Sequence, residues 1–161
     1  MAKRIAIIGA GIMGSAIATR LLECRHDLEV FDLDAAKVAV LVSRGAKAAK
    51  SPADAAERSD FVILSLNHAD IVRQAVFGAK GVALSGTPSK LLIDMSSIDP
   101  AATAQMAAEL ESTNGMASVD CPLSGGVPGS CGACGSTSSL SAPPTPFILT
   151  MLSIGAPLVE F

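Results

Sequence analysis

The sequence predicts a single α/β domain with a doubly wound, mostly parallel sheet. From residue 4 onward, short apolar runs alternate with amphipathic stretches, which is typical of a parallel sheet covered by helices. The first run, at residues 5–8, is apolar at every position, as expected for a strand buried on both faces. Apolar residues make up 50% of the 161-residue chain, which is enough for one core, and a second full domain does not fit.

Two strands, each followed by a helix, are predicted in the first third of the chain. After the strand at residues 5–8, helical spacing gives the apolar stripe Met13, Ala16, Ile17, Leu21 and Cys24. A second strand at residues 28–31 precedes a helix over residues 35–43, and Gly45 ends that helix. Its spacing predicts three inward-facing residues, Val38, Leu41 and Val42.

A capping residue followed by proline predicts where two later helices begin. Ser51-Pro52-Ala53-Asp54 resembles a capping box, with a hydroxyl at the N-cap, proline at N1 and a carboxylate at N3. Asp99-Pro100 repeats this start, and Gly115 ends the helix that it opens. One side of that helix is formed by Thr103, Met106, Ala107 and Leu110.

Further strands are predicted at residues 61–66, 91–93 and 116–119. Between the first two lies a helical face formed by Ile71, Val72, Ala75 and Val76. Strands that alternate with helices in this way predict right-handed crossovers, and hence helices on both faces of the sheet.

The composition changes after residue 128. Residues 129–146 are rich in Gly, Ser, Cys, Thr and Pro and carry no charge, so neither helix nor strand is predicted there. We expect a binding domain over residues 1–128, an atypical segment over 129–146, and a last strand or helix of the same domain over 147–161. Cys131 and Cys134 form a single C-x-x-C, which we interpret as inert because a zinc site needs a second pair of ligands, so no metal is predicted.

Charge and hydropathy exclude several classes of partner. The net charge is −3 and no basic run stands out, so nucleic acid is not expected to bind. The basic start and the apolar stretch to Ala18 resemble a signal peptide, but the regularly spaced glycines within that stretch favour a different role. No other segment reaches the roughly 18 consecutive apolar residues of a membrane span, so a cytoplasmic protein without membrane partners is expected.

A glycine-rich turn follows the first predicted strand and fits the pattern G-x-G-x-x-G: Gly9-Ala10-Gly11-Ile12-Met13-Gly14. The pattern alone is common, but between a strand and a helix it predicts a dinucleotide-binding turn of the Rossmann type. The first glycine permits the tight turn, the second lets a pyrophosphate approach the backbone, and the third lets helix and strand pack closely. Unpaired amides and the helix dipole would hold the phosphates.

An acidic residue stands where the ribose of a dinucleotide would be bound. Asp32 ends the second predicted strand, and a carboxylate there accepts hydrogen bonds from both ribose hydroxyls and repels a 2′-phosphate. The sequence therefore predicts NAD as the cofactor, with NADP less favoured. The alternative is that the glycines only form a tight turn and that Asp32 is a solvated strand end.

Three segments together resemble the β-hydroxyacid dehydrogenase family, which includes 3-hydroxyisobutyrate dehydrogenase. They are the glycine turn, Ile93-Asp94-Met95-Ser96-Ser97-Ile98-Asp99-Pro100, and Asp120-Cys121-Pro122-Leu123-Ser124-Gly125-Gly126-Val127. The last two are more specific than the first. The resemblance implies reversible oxidation of a small β-hydroxy acid to its semialdehyde by hydride transfer to the nicotinamide of NAD.

The resemblance also implies roles for further residues. Leu66 and Asn67 would line the cofactor site, and Ser97 would lie by the nicotinamide. The substrate's carboxylate would be held by Ser124, Gly125 and Gly126, since a hydroxyl and glycine amides can converge on an anion. The alternative for these three is a plain turn after a strand. No G-x-S-x-G surrounds Ser124, so a hydrolase nucleophile is not indicated.

The chain also departs from the family pattern. Residues 131–146 replace an apolar strand that the family usually has, and an altered or frame-shifted stretch is one hypothesis. No residue matches the family's catalytic lysine, which lies on a helical domain beyond the end of this chain, so we expect cofactor binding with little or no turnover. That domain also implies a homo-oligomeric parent enzyme. The alternatives are an imine reductase, a 6-phosphogluconate dehydrogenase relative, or a non-catalytic NAD-binding module.

Overall fold

The computed structural model describes residues 2–121, which form one parallel sheet with helices on both faces. The strands, in chain order, are β1 (Arg4–Ile8), β2 (Asp27–Phe31), β3 (Lys47–Ala48), β4 (Phe61–Leu64), β5 (Leu91–Asp94) and β6 (Ala117–Asp120). Their order across the sheet is β3-β2-β1-β4-β5-β6, and every neighbouring pair is parallel. The predicted fold class is therefore confirmed.

Five helices connect the strands. They are α1 (Ile12–Glu23), α2 (Ala35–Val42), α3 (Pro52–Glu57), α4 (Ala69–Phe77) and α5 (Pro100–Asn114), with a short 3₁₀ turn at Val82–Ser85. The capping predictions are confirmed: the Ser51 hydroxyl accepts from the Asp54 amide at 3.1 Å, and Asp99 accepts from the Ala101 amide at 3.0 Å. Gly115 ends α5 in the left-handed conformation, with φ 74°.

The core has two halves, one on each face of the sheet. Ile5 and Ile7 of β1 face the half that contains Ile17 and Leu21 of α1. The alternate residues of β1, Ala6 and Ile8, face the half built with α3, α4 and α5. Because successive side chains of a strand point to opposite faces, a strand covered on both faces must be apolar at every position. This explains the continuous apolar run in the sequence.

Several element boundaries and orientations differ from the predictions. Strand β4 ends at Leu64 rather than at residue 66, because the amide of Leu66 donates to a side chain instead of to a strand carbonyl. The inward orientation predicted for Val42 is wrong, since its side chain is 41% exposed. Helix α2 lies beside the two-residue edge strand β3, which the sequence had not revealed and which covers little of the helix.

Helix α4 buries only part of its predicted face. Val72, Ala75 and Val76 are buried, whereas Ile71 remains 42% exposed. Ile71 lies near the carboxyl ends of the strands, which together form what we call the carboxyl edge of the sheet. There it borders a groove rather than the core. The apolar spacing correctly predicts the helix, but it does not show that Ile71 lines a groove instead of packing in the core.

The strand order changes direction between β1 and β4. From β1 the chain proceeds to β2 and β3 on one side, and β4, β5 and β6 continue on the other. Such a reversal leaves a crevice outside the carboxyl ends of the strands, where doubly wound domains bind their ligands.

The predictions for Ser124, Gly125, Gly126, the Cys131–Cys134 pair and residues 129–161 lie outside the described residues.

Candidate dinucleotide-binding site

Two of the three glycines in the turn after β1 are required by the backbone around them. Gly9 has φ +100°, and a Cβ placed there would lie 2.3 Å from the carbonyl oxygen of Ser65. A Cβ at Gly14 would lie 1.9 Å from the carbonyl oxygen of Gly9, so α1 can approach β1 this closely only without a side chain there. These positions agree with the roles predicted for the first and third glycines.

Gly11 differs because nothing in the described part of the chain requires a glycine at this position. Its backbone has φ −67° and ψ −169°, an extended conformation that any residue adopts. Apart from its two chain neighbours, no atom of residues 2–121 lies within 4 Å of a Cβ built on it. The missing side chain leaves the approach to the turn clear, as expected for backbone that a ligand contacts directly.

At the amino end of α1, beside Gly11, the described part of the chain provides no cap for the first amides. Gly11 is the N-cap, no side chain caps the helix, and its first turn holds no acidic residue. The amides of Ile12, Met13 and Gly14 lie in this first turn, where no intrahelical carbonyl can accept from them. Together with the positive end of the helix dipole, they favour an anion such as a phosphate group.

The carboxylate of Asp32 lies against the same turn. Asp32 follows β2 directly, and its Oδ2 accepts from the amide of Ala10 at 2.7 Å. Its Oδ1 accepts from the amide of Asp34 at 2.8 Å. A carboxylate has about four lone-pair sites, so each oxygen can still accept a hydrogen bond from a ligand hydroxyl. The Asp32 carboxylate therefore lies against the glycine turn and can still accept hydrogen bonds from the hydroxyls of a sugar.

A groove of about 340 Å³ lies beside Asp32 at the carboxyl ends of three strands. The strand ends and the segments after them contribute Ile8, Gly9, Phe31, Asp32, Leu33, Leu66 and Asn67. Helices α3 and α4 and the turn after α4 contribute Pro52, Ile71, Gln74, Ala75 and Lys80. A concave, mostly apolar site with a few polar groups is the usual form of a small-molecule binding site.

The structure brings together most of the residues predicted to bind the cofactor. Leu66 and Asn67 line the groove together with Gly9 and Asp32. Ser97 does not line the groove; it is exposed in the loop between β5 and α5, at the same edge of the sheet. The predicted sites thus lie along one edge, with Ser97 beyond the groove.

Several groove residues are not predicted as site residues by the sequence, among them Gln74, Pro52 and Lys80. Gln74 belongs to α4, whose helical spacing from Ile71 could have indicated it. Pro52 and Lys80 come from separate segments and meet at the groove only through the fold. No local pattern marks them as neighbours of the glycine turn.

A buried polar cluster lies behind the groove at the end of β5. The Ser96 hydroxyl accepts from the amide of Leu66 at 3.1 Å, and the Ser96 amide donates to Asp94 Oδ1 at 2.9 Å. Asp94 is 4% exposed, and this burial raises the pKa of its carboxyl group, while hydrogen bonds from Ser96 oppose the increase. The sequence motif that contains Ser97 also contains Asp94 and Ser96, but no local pattern predicts a role for these two residues.

Within residues 2–121, the structure has no group of three or more His, Cys, Asp or Glu side chains arranged to hold a metal ion. No helix in this part of the chain has the length and apolar character needed to cross a membrane.

The fold, the glycine turn and the carboxylate together define a dinucleotide-binding α/β domain. Residues 4–136 match the family described as the NAD binding domain of 6-phosphogluconate dehydrogenase. Because this match spans most of the 161 residues, the chain belongs to this family of NAD-binding domains.

Relatives of this chain include named β-hydroxyacid dehydrogenases. The chain is 41% identical over 119 residues to 3-sulfolactaldehyde reductase of Escherichia coli, covering 74% of this chain and 40% of the relative. It is 38% identical over 125 residues to 3-hydroxyisobutyrate dehydrogenase of Pseudomonas aeruginosa, covering 78% of this chain and 42% of the relative. The resemblance stated from the sequence motifs is thereby confirmed.

The solved structure of Mycobacterium tuberculosis 3-hydroxyisobutyrate dehydrogenase, determined with L-serine, has the same fold. It superposes with a TM-score of 0.74 at 29% identity, covering 83% of this chain and 44% of that one. The chain thus spans less than half the length of these relatives.

Proposed function

We propose that this chain is the cofactor-binding part of an NAD-dependent oxidoreductase that acts on small β-hydroxy acids and resembles 3-hydroxyisobutyrate dehydrogenase. The reaction is the reversible oxidation of the hydroxy acid to its semialdehyde. Family membership and the names of the relatives support this class. The observation that carries the proposal is the space over Gly11 that the described residues leave clear, in the same turn as the uncapped amino end of α1 and the Ala10 amide held by Asp32.

The residues of the site fit a dinucleotide from phosphate to base. The amides of the first turn of α1 would hold the pyrophosphate, which can contact the backbone at Gly11. Asp32 would accept hydrogen bonds from the ribose hydroxyls of the adenosine half. Apolar groove residues such as Leu33 and Ile71 would cover the base and exclude water from it. These contacts bind and orient the cofactor.

When bound, NAD supplies the nicotinamide carbon that accepts or donates hydride. By resemblance, Ser97 contacts the nicotinamide, and Ser124 with Gly125 and Gly126 holds the substrate's carboxylate. A hydroxyl and glycine amides can bind an anion without steric obstruction. The chain spans less than half the length of its relatives, so the decisive test measures cofactor binding rather than turnover.

The experiment is a calorimetric titration of the chain with NADH and with NADPH. We expect NADH to bind more tightly, because Asp32 repels a 2′-phosphate. In Asp32→Ala, NADH should bind about tenfold or more weakly, since two charge-assisted hydrogen bonds to the sugar are lost. The preference over NADPH should shrink at the same time.

A matched control is Asp27→Ala, which removes an exposed acid from the other end of the same strand. This variant should bind NADH as the unsubstituted chain does. Circular dichroism should show that both variants are folded, because Asp32 also accepts from the amides of Ala10 and Asp34. Unchanged NADH affinity in folded Asp32→Ala would reject the assigned ribose contact.

The finer points of location and partners are also proposals. The acidic net charge and the absence of a basic run argue against nucleic acid or an anionic membrane surface as a partner, and we propose a cytoplasmic protein whose partner is a small hydroxy acid or semialdehyde. Homo-oligomerisation of the parent enzyme rests on the family resemblance alone. Gel filtration with light scattering would measure the oligomeric state directly.

A further inference from the structure

The chain leaves the sheet after β4 immediately beside the glycine turn. The amide of Ser65 still donates to the carbonyl of Ile8 in the neighbouring strand, at 3.0 Å. The next amide, that of Leu66, donates instead to the hydroxyl of Ser96 at 3.1 Å. A side chain after β5 thus accepts from an amide two residues beyond the end of β4.

Ser96 is itself held rigidly. It is 3% exposed, and its amide donates to Oδ1 of Asp94 at 2.9 Å. Asp94 is also buried, and its carbonyl oxygen accepts from the amide of Cys121, at 2.8 Å. Ser96 is thus buried and hydrogen-bonded to an equally buried neighbour, which restricts where its hydroxyl can lie and, with it, the Leu66 amide that donates to it.

The segment held by Ser96 forms one wall of the proposed cofactor site. The carbonyl oxygen of Ser65 lies 2.3 Å, and Leu66 Cδ2 2.9 Å, from where a Cβ of Gly9 would be, so this wall lies directly against the glycine turn. Leu66 and Asn67 then line the groove. A displacement of this segment changes the separation between the groove wall and the turn.

We infer that Ser96 is a positioning residue for the dinucleotide: its hydroxyl holds the Leu66 amide and thereby sets the wall that Leu66 and Asn67 present to the cofactor. Ser96 does not line the groove and acts only through Leu66. The inference rests on the proposed function, because the ligand for which the wall is positioned is NAD.

The test compares two buried serines in the full chain. In Ser96→Ala the Leu66 amide loses its acceptor, and we expect NADH to bind about tenfold more weakly by calorimetry. Ser59 is 1% exposed and donates to the carbonyl of Ala55 at 2.8 Å, but it does not line the groove. Ser59→Ala should therefore lower the urea midpoint of unfolding without weakening NADH binding.

Rescue separates positioning from a general loss of packing. Ser96→Thr retains the hydroxyl and should restore most of the NADH affinity. If Ser96→Ala does not fold, Ser96→Cys serves in its place, since a thiol nearly preserves the volume but is a weak acceptor. The inference is overturned if the folded Ala or Cys variant binds NADH as the unsubstituted chain does, or if Ser59→Ala weakens binding equally. Failure of the unsubstituted chain to bind NADH would instead overturn the proposed function, and this inference with it.

Discussion

The two edges of the sheet are built in opposite ways. At the carboxyl edge, the α1 amides are uncapped, the space over Gly11 is clear, and Asp32 can accept further hydrogen bonds. Large apolar side chains are also exposed there, including Ile12 at 80% and Leu33 at 92%. These groups are available to a ligand.

At the amino edge, two cationic side chains are paired within the chain. Arg4 and Asp60 form a two-point ion pair, with Nη2–Oδ1 and Nε–Oδ2 distances of 2.5 and 3.1 Å. The ammonium group of Lys90 donates to the carbonyls of Ala56 and Glu57 at the end of α3. These two cations are thus bound by groups of the chain itself.

The difference shows that a parallel α/β domain leaves most of its free hydrogen-bond donors and acceptors at the carboxyl edge. All strands run in the same direction, so the amino ends of the helices that follow them collect at the carboxyl edge. The amino edge receives the helix carboxyl ends, which cations such as Lys90 can cap. Substitutions at the two edges should therefore affect different properties.

The largest expected effect is on folding and comes from Gly14→Ala. The added Cβ would lie 1.9 Å from the carbonyl oxygen of Gly9, so α1 must move away from β1. We expect the free energy of unfolding to fall by about 3 kcal/mol, as for severe overpacking. Urea unfolding followed by circular dichroism measures this free energy. A loss under about 1 kcal/mol would show that α1 can move away from β1 at little cost, contrary to the prediction.

The same substitution three residues earlier should affect binding instead. Gly11→Ala places a methyl group where no atom of the described residues, apart from its chain neighbours, lies within 4 Å, so stability should change by no more than about 1 kcal/mol, the range of an N-cap substitution. NADH affinity should fall by about tenfold or more, because the methyl group occupies the approach to the turn. If Gly11→Ala binds NADH normally, the clear space is not the phosphate site.

The smallest effect is expected at the amino edge, from His26. Its Nδ1 accepts from the amide of Lys3 at 3.1 Å, and its Nε2 is buried without a partner among the described residues. Burial lowers the pKa of His26, and the positive charges of the N-terminus and Lys3 lower it further. The unfolded state therefore takes up the proton first as the pH falls.

The stability that His26 contributes should be complete above its unfolded pKa of about 6.5 and should decline as the pH falls from there toward the lower folded pKa. The slope cannot exceed about 1.4 kcal/mol per pH unit. The decline is measured by urea unfolding of the unsubstituted chain and of His26→Leu. Each protein is unfolded at pH 7.5 and near pH 5.5, on the order of one unit below that pKa. The variant should lose this part of the decline while binding NADH normally. An identical decline in both proteins would contradict the assignment.

Much of this molecule was predictable because the relevant signals are local. The Ser51 and Asp99 caps, the Gly115 stop and the continuous apolar strands depend on residues close in sequence, and all were confirmed. The glycine turn and Asp32 were also correctly placed at one corner. Sheet topology follows from alternating strands and helices, since crossovers are right-handed.

The contacts that were missed join residues far apart in the chain. The hydroxyl of Ser96 replaces a strand carbonyl for Leu66, and this ended β4 two residues early. Val42 and Ile71 have apolar side chains at helical spacing, but what lies opposite each helix decides their exposure.

The sequence by itself determined the fold class, the helix ends and the strand-to-helix corner, because steric limits, capping and burial periodicity act over a few residues. Only the tertiary structure decided which side chains share the groove and which buried hydroxyl holds its wall. Pro52, Lys80 and Ser96 come from three separate segments, and their positions depend on how helices and loops pack around the finished sheet. No pattern along the chain encodes such packing, since its energy belongs to the assembled core.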